Sequence, residues 1–247
     1  MKRKDTGRGM LLLWTASVYA LSFLCYLPML AQRMGMALPG GAVNLKYLFV
    51  CVPAVVSVLF SLRERRLRAY FAGMFSGRPG GREFSAGLAI AAAGLLVSWG
   101  YEAGTGVPVF ENAYPSVAAL LAGCLYLLAT GLVEEMAWRG FLLERLPQKG
   151  IKGAALAGLV WAAWHIPMWT IRNGLGLRDI PFLCVWTVLV AIVLGTAYYR
   201  SGSILTAAVL HMLFNTCCLA PVQYNIPVLA VIIAGGAWVG KKNRRIL

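Results

Sequence analysis

The stretch PSVAALLAGCLYLLATGLVEEMAWRGFLLERL, residues 115–146, decides how the rest of the chain is read. Residues 115–133 carry no charge, and apolar residues continue on both sides of Glu134, Glu135 and Arg139. Crossing the hydrocarbon of a bilayer takes roughly 20 apolar residues at about 1.5 Å each. This run therefore reads as a membrane span over about 115–138, on a helix expected to continue past Gly140 to about Leu146. The charges within it are the exception. An ionisable group at membrane depth costs on the order of 2.5 kcal/mol or more, and it marks a functional site by default.

The whole chain agrees with that stretch. Of its 247 residues, 60% are hydrophobic and 13% charged. Soluble domains carry roughly 45–50% apolar and about 25% charged residues. Lipid is the main solvent, and residues 1–247 read as one all-α membrane domain, a polytopic transmembrane bundle. Seven more spans follow, at about 10–31, 44–62, 85–101, 153–171, 181–199, 203–219 and 224–240, and the third and seventh spans in chain order are short. The first run is too long for a signal-peptide core and has no clear cleavage site, so it counts as a helix. The six cysteines all lie in apolar segments without a CxxC pair, and read as small packing residues.

A net charge of +14 in a soluble protein would suggest nucleic acid. Here the bases sit in short connections, where they set topology, and no nucleic-acid partner is implied. With eight spans, nineteen of the 23 Lys and Arg fall on the side of the two termini. Only Arg33, Lys46, Arg172 and Arg178 fall on the other. A missed or extra helix would spoil this split, so both termini are expected to be cytoplasmic. After RERR, the residues Leu67, Tyr70, Phe71, Met74 and Phe75 line one helical face, which suits a helix lying in the cytoplasmic interface. The tract SGRPGGRE then reads as a flexible connection.

Both histidines, His165 and His211, fall inside apolar spans, and Asn215 lies one helical turn beyond His211. Glu134 is 11 residues from Arg145, His165 is 13 from Lys152, and His211 is 11 from Arg200. At about 1.5 Å per residue all three lie roughly 16–20 Å from the same boundary. Three helices thus bring polar groups to one layer, which is how bundles build sites. Glu135 and Arg139 are spaced to form an ion pair. Glu134 points about 100° away from Glu135 and is free to face a cavity. A carboxylate and a neutral imidazole can hold and deprotonate water. A second imidazole with an amide can donate to an oxyanion. Such a set hydrolyses amides.

Each residue alone has a plainer reading. A single intramembrane histidine can be an interhelical hydrogen-bonding residue, and Ala154, Gly158, Gly236 and Gly240 suit close helix packing. Pro167 kinks its helix. Glu and His at depth also serve proton relays, so a proton-coupled transporter is a second class of function. A non-catalytic membrane scaffold or immunity protein is a third. The common depth of the polar groups favours the hydrolytic reading.

At these residues the sequence resembles a known family. Glu134-Glu135-Met-Ala-Trp-Arg139 matches an EExxxR motif, Trp161-Ala-Ala-Trp-His165 an FxxxH motif with Trp for Phe, and His211-Met-Leu-Phe-Asn215 an HxxxN motif. Together, over about 115–219, they resemble the CPBP family of CAAX prenyl proteases and bacteriocin-processing or immunity-related membrane proteins. The resemblance implies a multi-pass intramembrane endopeptidase, placed in a bacterial plasma membrane, with a cavity open toward the cytosol and the membrane. It implies that Glu134 with His165 activates water, that His211 with Asn215 holds the oxyanion, and that Glu135 and Arg139 support them. The substrates implied are membrane-associated or lipidated peptides, with membrane lipid as the surroundings. Members are commonly labelled metalloproteases. With no HExxH motif, a zinc site built from Glu134, His165 and His211 and a metal-free mechanism both stay open.

Overall fold

A backbone in lipid finds no water for its N–H and C=O groups, so the uncharged runs form helices. The computed structural model describes residues 2–77, 81–219, 228 and 231, and nearly all of them are helical. Among them, six helices are long and apolar enough to cross a membrane: Arg8–Arg33, Ala42–Arg63, Phe84–Thr105, Val117–Leu143, Gly150–Arg172 and Ile180–Ser201. Ile204–Cys217 is apolar but shorter. The fold is therefore the polytopic helical bundle read from the sequence, with seven expected spans on these helices. The eighth, about 224–240, lies outside the described residues except at 228 and 231. Part of the SGRPGGRE connection and the basic tail lie outside them too.

Local chemistry explains most element ends. The first span is broken into α1 (Lys2–Leu24) and α2 (Leu27–Arg33), with Pro28 in the first turn of α2. A 3₁₀ segment, Ala42–Cys51, leads into α3 (Val52–Arg63), where Pro53 occupies the first turn. Then come α4 (Leu67–Phe75), α5 (Gly81–Thr105) and the short α6 (Val109–Ala113). At 25 residues α5 is not the short span its hydropathy suggested. Ser116 caps α7 (Val117–Glu135) by accepting the Ala119 N–H at 3.1 Å. The helix continues beyond Glu135 as a π-helix, Met136–Leu143. Likewise α8 (Gly150–Pro167) passes into a π-helical turn, Met168–Arg172, directly after Pro167. Proline has no N–H for the regular ladder, and π-turns accommodate such breaks, often at functional sites. Gly202, at φ 62°, ends α9 (Ile180–Ser201), and α10 (Ile204–Cys217) follows.

Small residues bring the central helices together. A Cβ on Gly158 of α8 would lie 2.7 Å from the Ala191 Cβ of α9. One on Gly195 would lie 2.7 Å from the Ala154 Cβ. The packing role expected of Ala154 and Gly158 is what they have, whereas Gly236 and Gly240 lie outside the described residues. Helix α10 packs against α7, α9 and α5.

The two ends of the bundle differ. At the base-rich end, Arg145 donates to Glu64 at 2.7 Å and the Gly77 N–H donates to the Gly202 carbonyl at 3.2 Å. At the base-poor end, the Arg172 guanidinium lies 5.4 Å from the centre of the Tyr47 ring. Helix α4 closes the base-rich end. Its Tyr70 and Met74 are buried, and the Tyr70 hydroxyl donates to the Met136 carbonyl at 2.9 Å. Only Phe71 and Phe75 of its apolar face stay exposed. This helix is thus docked on the bundle rather than lying free in the interface, because Tyr70 and Met74, one turn apart, meet the π-helical segment.

That segment is the tightest part of the core. Ala137, Trp138, Phe141 and Leu143 have no exposed surface. Trp14 meets Trp138 edge-on at 5.7 Å and stacks on Phe141 at 5.2 Å. Among the described residues, aromatic side chains and α4 together make a packed plug in the base-rich half of the bundle.

Candidate active site

The two adjacent glutamates at the end of α7 go separate ways, as the helical rotation of about 100° per residue requires. Glu135 turns inward and is fully buried. Its Oε1 accepts from Arg139 Nη1 at 2.8 Å, the expected ion pair. The same oxygen lies 3.0 Å from His211 Nδ1 on α10. Glu134 turns toward α8, where its Oε2 accepts the Trp161 indole N–H at 2.8 Å.

Trp161 is the hub of the site. Its ring centre is 5.2 Å from that of His165 and 5.2 Å from that of His211. The Arg139 guanidinium lies over it at 4.7 Å, a cation–π contact. Glu134, His165 and His211 therefore do gather at one level, around one indole.

The hydrogen bonds fix the imidazoles. His165 Nδ1 is 2.9 Å from the Trp161 carbonyl. A carbonyl only accepts, so Nδ1 carries the proton and the neutral ring keeps its Nε2 lone pair. Trp169 stacks on this ring at 5.3 Å and an interplanar angle of 9°, and Trp164 meets its edge. His211 Nδ1 faces the Glu135 carboxylate, so its Nε2 is the nitrogen left for other partners.

A cavity of about 360 Å³ adjoins these groups. Glu134, His165, His211 and Asn215 all line it, while Glu135 and Arg139 stand behind its wall. Thr130 and Thr187 add hydroxyls, and Lys46, Tyr47 and Arg172 form its outer rim. The cavity thus brings Glu134, His165, His211 and Asn215 together, and Glu135 and Arg139 do not line it.

Every lining residue lies at the polar layer or on its base-poor side: 46–50 of the 3₁₀ segment, 126–134 of α7, 161–172 of α8 and its π-helical turn, 183–190 of α9 and 211–215 of α10. On the base-rich side of this layer, Trp138, Phe141 and Met74 fill the core among the described residues. Arg139, counted among the loop bases, is in fact 2% exposed within the core.

The three-ligand zinc set is not assembled. Among the described residues no group of three or more His, Cys, Asp or Glu is placed to share one metal ion. Glu134 is turned onto the Trp161 N–H, and His211 takes Glu135 as its carboxylate partner.

Two bonds escaped the sequence. The FxxxH resemblance treats residue 161 as an aromatic wall, and only the choice of Trp over Phe hinted at a donor. The bond from His211 to Glu135 was hidden because Glu135 already had a partner one turn away.

Fold and site together define a multi-pass helical membrane protein with a polar cavity sunk to mid-bundle. Residues 116–217 match the model of a protein family described as Rce1-like, type II CAAX prenyl endopeptidase Rce1-like. The match runs from the cap of α7 to the end of α10, the helices that carry the motifs, and is consistent with the CPBP resemblance. At the level of the family it supports an intramembrane endopeptidase. Among curated proteins none matches the chain.

Proposed function

We propose that this chain, one membrane domain with both termini cytoplasmic, hydrolyses peptide bonds of membrane-associated substrates in the plasma membrane of a bacterial cell. The observation that carries the proposal is the convergence of Glu134, His165, His211 and Asn215 on one cavity.

Water held between the Glu134 carboxylate and His165 Nε2 loses a proton to one of them as its oxygen attacks the scissile carbonyl. Negative charge then develops on the carbonyl oxygen. The Asn215 amide and, when its ring carries both protons, His211 Nε2 donate to it. The proton taken from water passes to the leaving amine, and the carbonyl is reformed as an acid. Arg139 and Glu135 never touch the substrate. Glu135 orients His211, as a carboxylate behind a working imidazole commonly does.

The test is cleavage of lipidated and unlipidated membrane-tethered peptides by the reconstituted protein. Wild type is compared with Glu134→Gln, which keeps an acceptor for Trp161. Equal cleavage by both would end the proposal. A proton-coupled transporter needs a path on both sides of Glu134, and among the described residues the cavity extends to one of them.

A further inference from the structure

We propose that the corner between α3 and α4 binds the headgroup of an anionic phospholipid, with Arg63, Arg65, Arg66 and Arg68 around its phosphate and the outer face of α3 along an acyl chain.

The first observation is charge. Residues 63–68, RERRLR, place four arginines and one acid where the apolar helix Ala42–Arg63 ends. All four arginines are exposed. The acid is already engaged, since Glu64 Oε2 accepts from Arg145 Nη2 at 2.7 Å. Among the described residues no carboxylate pairs with any of the four. Residues 78–80 and 220–247 contain no Asp or Glu, so they bring no such partner either. A topology signal needs only bases in a connection. It does not require that the one acid among them be drawn away.

The second observation is in the backbone. The Arg66 N–H donates to the Ser61 carbonyl and the Arg65 N–H to the Leu62 carbonyl, both at 2.9 Å. This pair of bonds is the Schellman ending of a helix, and Arg65 holds its left-handed position at φ 58°. Glycine is the usual residue there because it has no Cβ to strain. Arg65 is the only non-glycine residue with positive φ among the described residues. Backbone strain of this kind gathers at ligand clamps, and here it keeps a fourth guanidinium at the corner.

The third observation is the apolar surface that leads to the corner. Val55, Leu59 and Leu62 recur at one-turn spacing along α3, and each is about half exposed. Their stripe ends at Arg63. On α4, Phe71 and Phe75 are exposed one turn apart, next to Arg68, while Tyr70 and Met74 hold the helix to the bundle. An acyl chain along the stripe brings its phosphate to the arginines, whose forked N–H groups match phosphate oxygens. Inorganic phosphate has the oxygens without the chain. A zwitterionic lipid has both, but its own cation meets four others.

Native mass spectrometry of the full-length protein in a neutral detergent tests this without peptide cleavage, so it stands or falls apart from the proposed function. The probes are phosphatidylglycerol, phosphatidylcholine with the same chains, and inorganic phosphate. Wild type should retain phosphatidylglycerol over phosphatidylcholine, and inorganic phosphate at equal concentration should not displace it. A base at a membrane surface strengthens such binding roughly fivefold. Arg65→Gly suits the turn and should weaken phosphatidylglycerol binding by about that factor. The triple variant Arg63→Gln, Arg66→Gln and Arg68→Gln should weaken it roughly a hundredfold. Lys152→Gln, an exposed base at the same end of the bundle, should leave it unchanged. Equal retention of the two lipids by wild type, or undiminished phosphatidylglycerol binding in either corner variant, overturns the proposal. So does an equal loss in Lys152→Gln, which would make the attraction diffuse, or displacement by inorganic phosphate, which would make the site one for free anions.

Discussion

Replacing Glu135 by leucine removes the partner of a guanidinium that is 2% exposed. Breaking a buried pair by deleting one member costs about 3–5 kcal/mol, because the other charge is left unpaired. At about 2–4 °C per kcal/mol for a chain of this length, the midpoint of thermal unfolding should fall by roughly 6–20 °C. The pair itself is imperfectly satisfied, since Glu135 Oε2 and Arg139 Nη2 have no hydrogen-bond partner among the described residues. A well-packed apolar substitute for both should therefore recover most of the loss. Glu135→Leu combined with Arg139→Met is expected to unfold within a few degrees of wild type. Cleavage should not return with stability, because His211 has lost the carboxylate that orients Nδ1. The assay is unfolding in detergent micelles beside peptide cleavage for the wild type, both single variants and the double. A double variant as unstable as Glu135→Leu would refute the unpaired-charge argument. A double variant with full cleavage would refute the orienting role of Glu135.

Three further outcomes are expected. Trp161→Phe keeps the ring between the two imidazoles but deletes the donor to Glu134. A hydrogen bond to a charged group is worth about 1.5–3 kcal/mol, so peptide cleavage should drop tenfold or more, and unchanged kcat/KM would show that this bond does not position Glu134. Gly158→Val drives a side chain into Ala191, and overpacking of about 1–3 kcal/mol should lower the unfolding midpoint, whereas the exposed Leu177→Val should leave it unmoved. Tyr70 is pushed above its ordinary pKa by burial, partly offset by the Ser57 hydroxyl and then by Arg145. Its raised value means that the unfolded chain ionises first, near pH 10. The folded protein therefore loses stability as pH rises above that point, and Tyr70→Phe should flatten the loss at the expense of about 0.5–1.5 kcal/mol for the bond to Met136. Equal alkaline sensitivity in both proteins would contradict this.

The sequence carried the helices well because lipid leaves few alternatives, and uncharged length is visible without any tertiary context. It also carried the common level of Glu134, His165 and His211, since depth along a helix is a matter of residue spacing. It was weaker wherever direction around a helix mattered. The π-helical turns after Glu135 and Pro167 alter the rotation per residue, so the side chains beyond them cannot be projected from a regular helix. Arg139 looked like a loop base because a count of charges does not see burial. Spacing locates a layer but is silent on which half of the bundle is filled, and that depended on Trp14 and Met74, from distant parts of the chain, meeting Trp138 and Gly140.

The plug also decides where the electrical field of an energised membrane falls. A potential drops across whatever separates two bodies of water, at about 2.3 kcal/mol per elementary charge for every 100 mV. A cavity wetted down to Glu134 takes little of that drop, and the packed half from Glu135 to Leu143 takes most of it. Arg139 and Glu135 stand inside the field as a neutral pair, which the field can neither drive apart cheaply nor pull in one direction. Glu134 stands at its edge. A proton reaching it through a wetted cavity would cross almost no voltage.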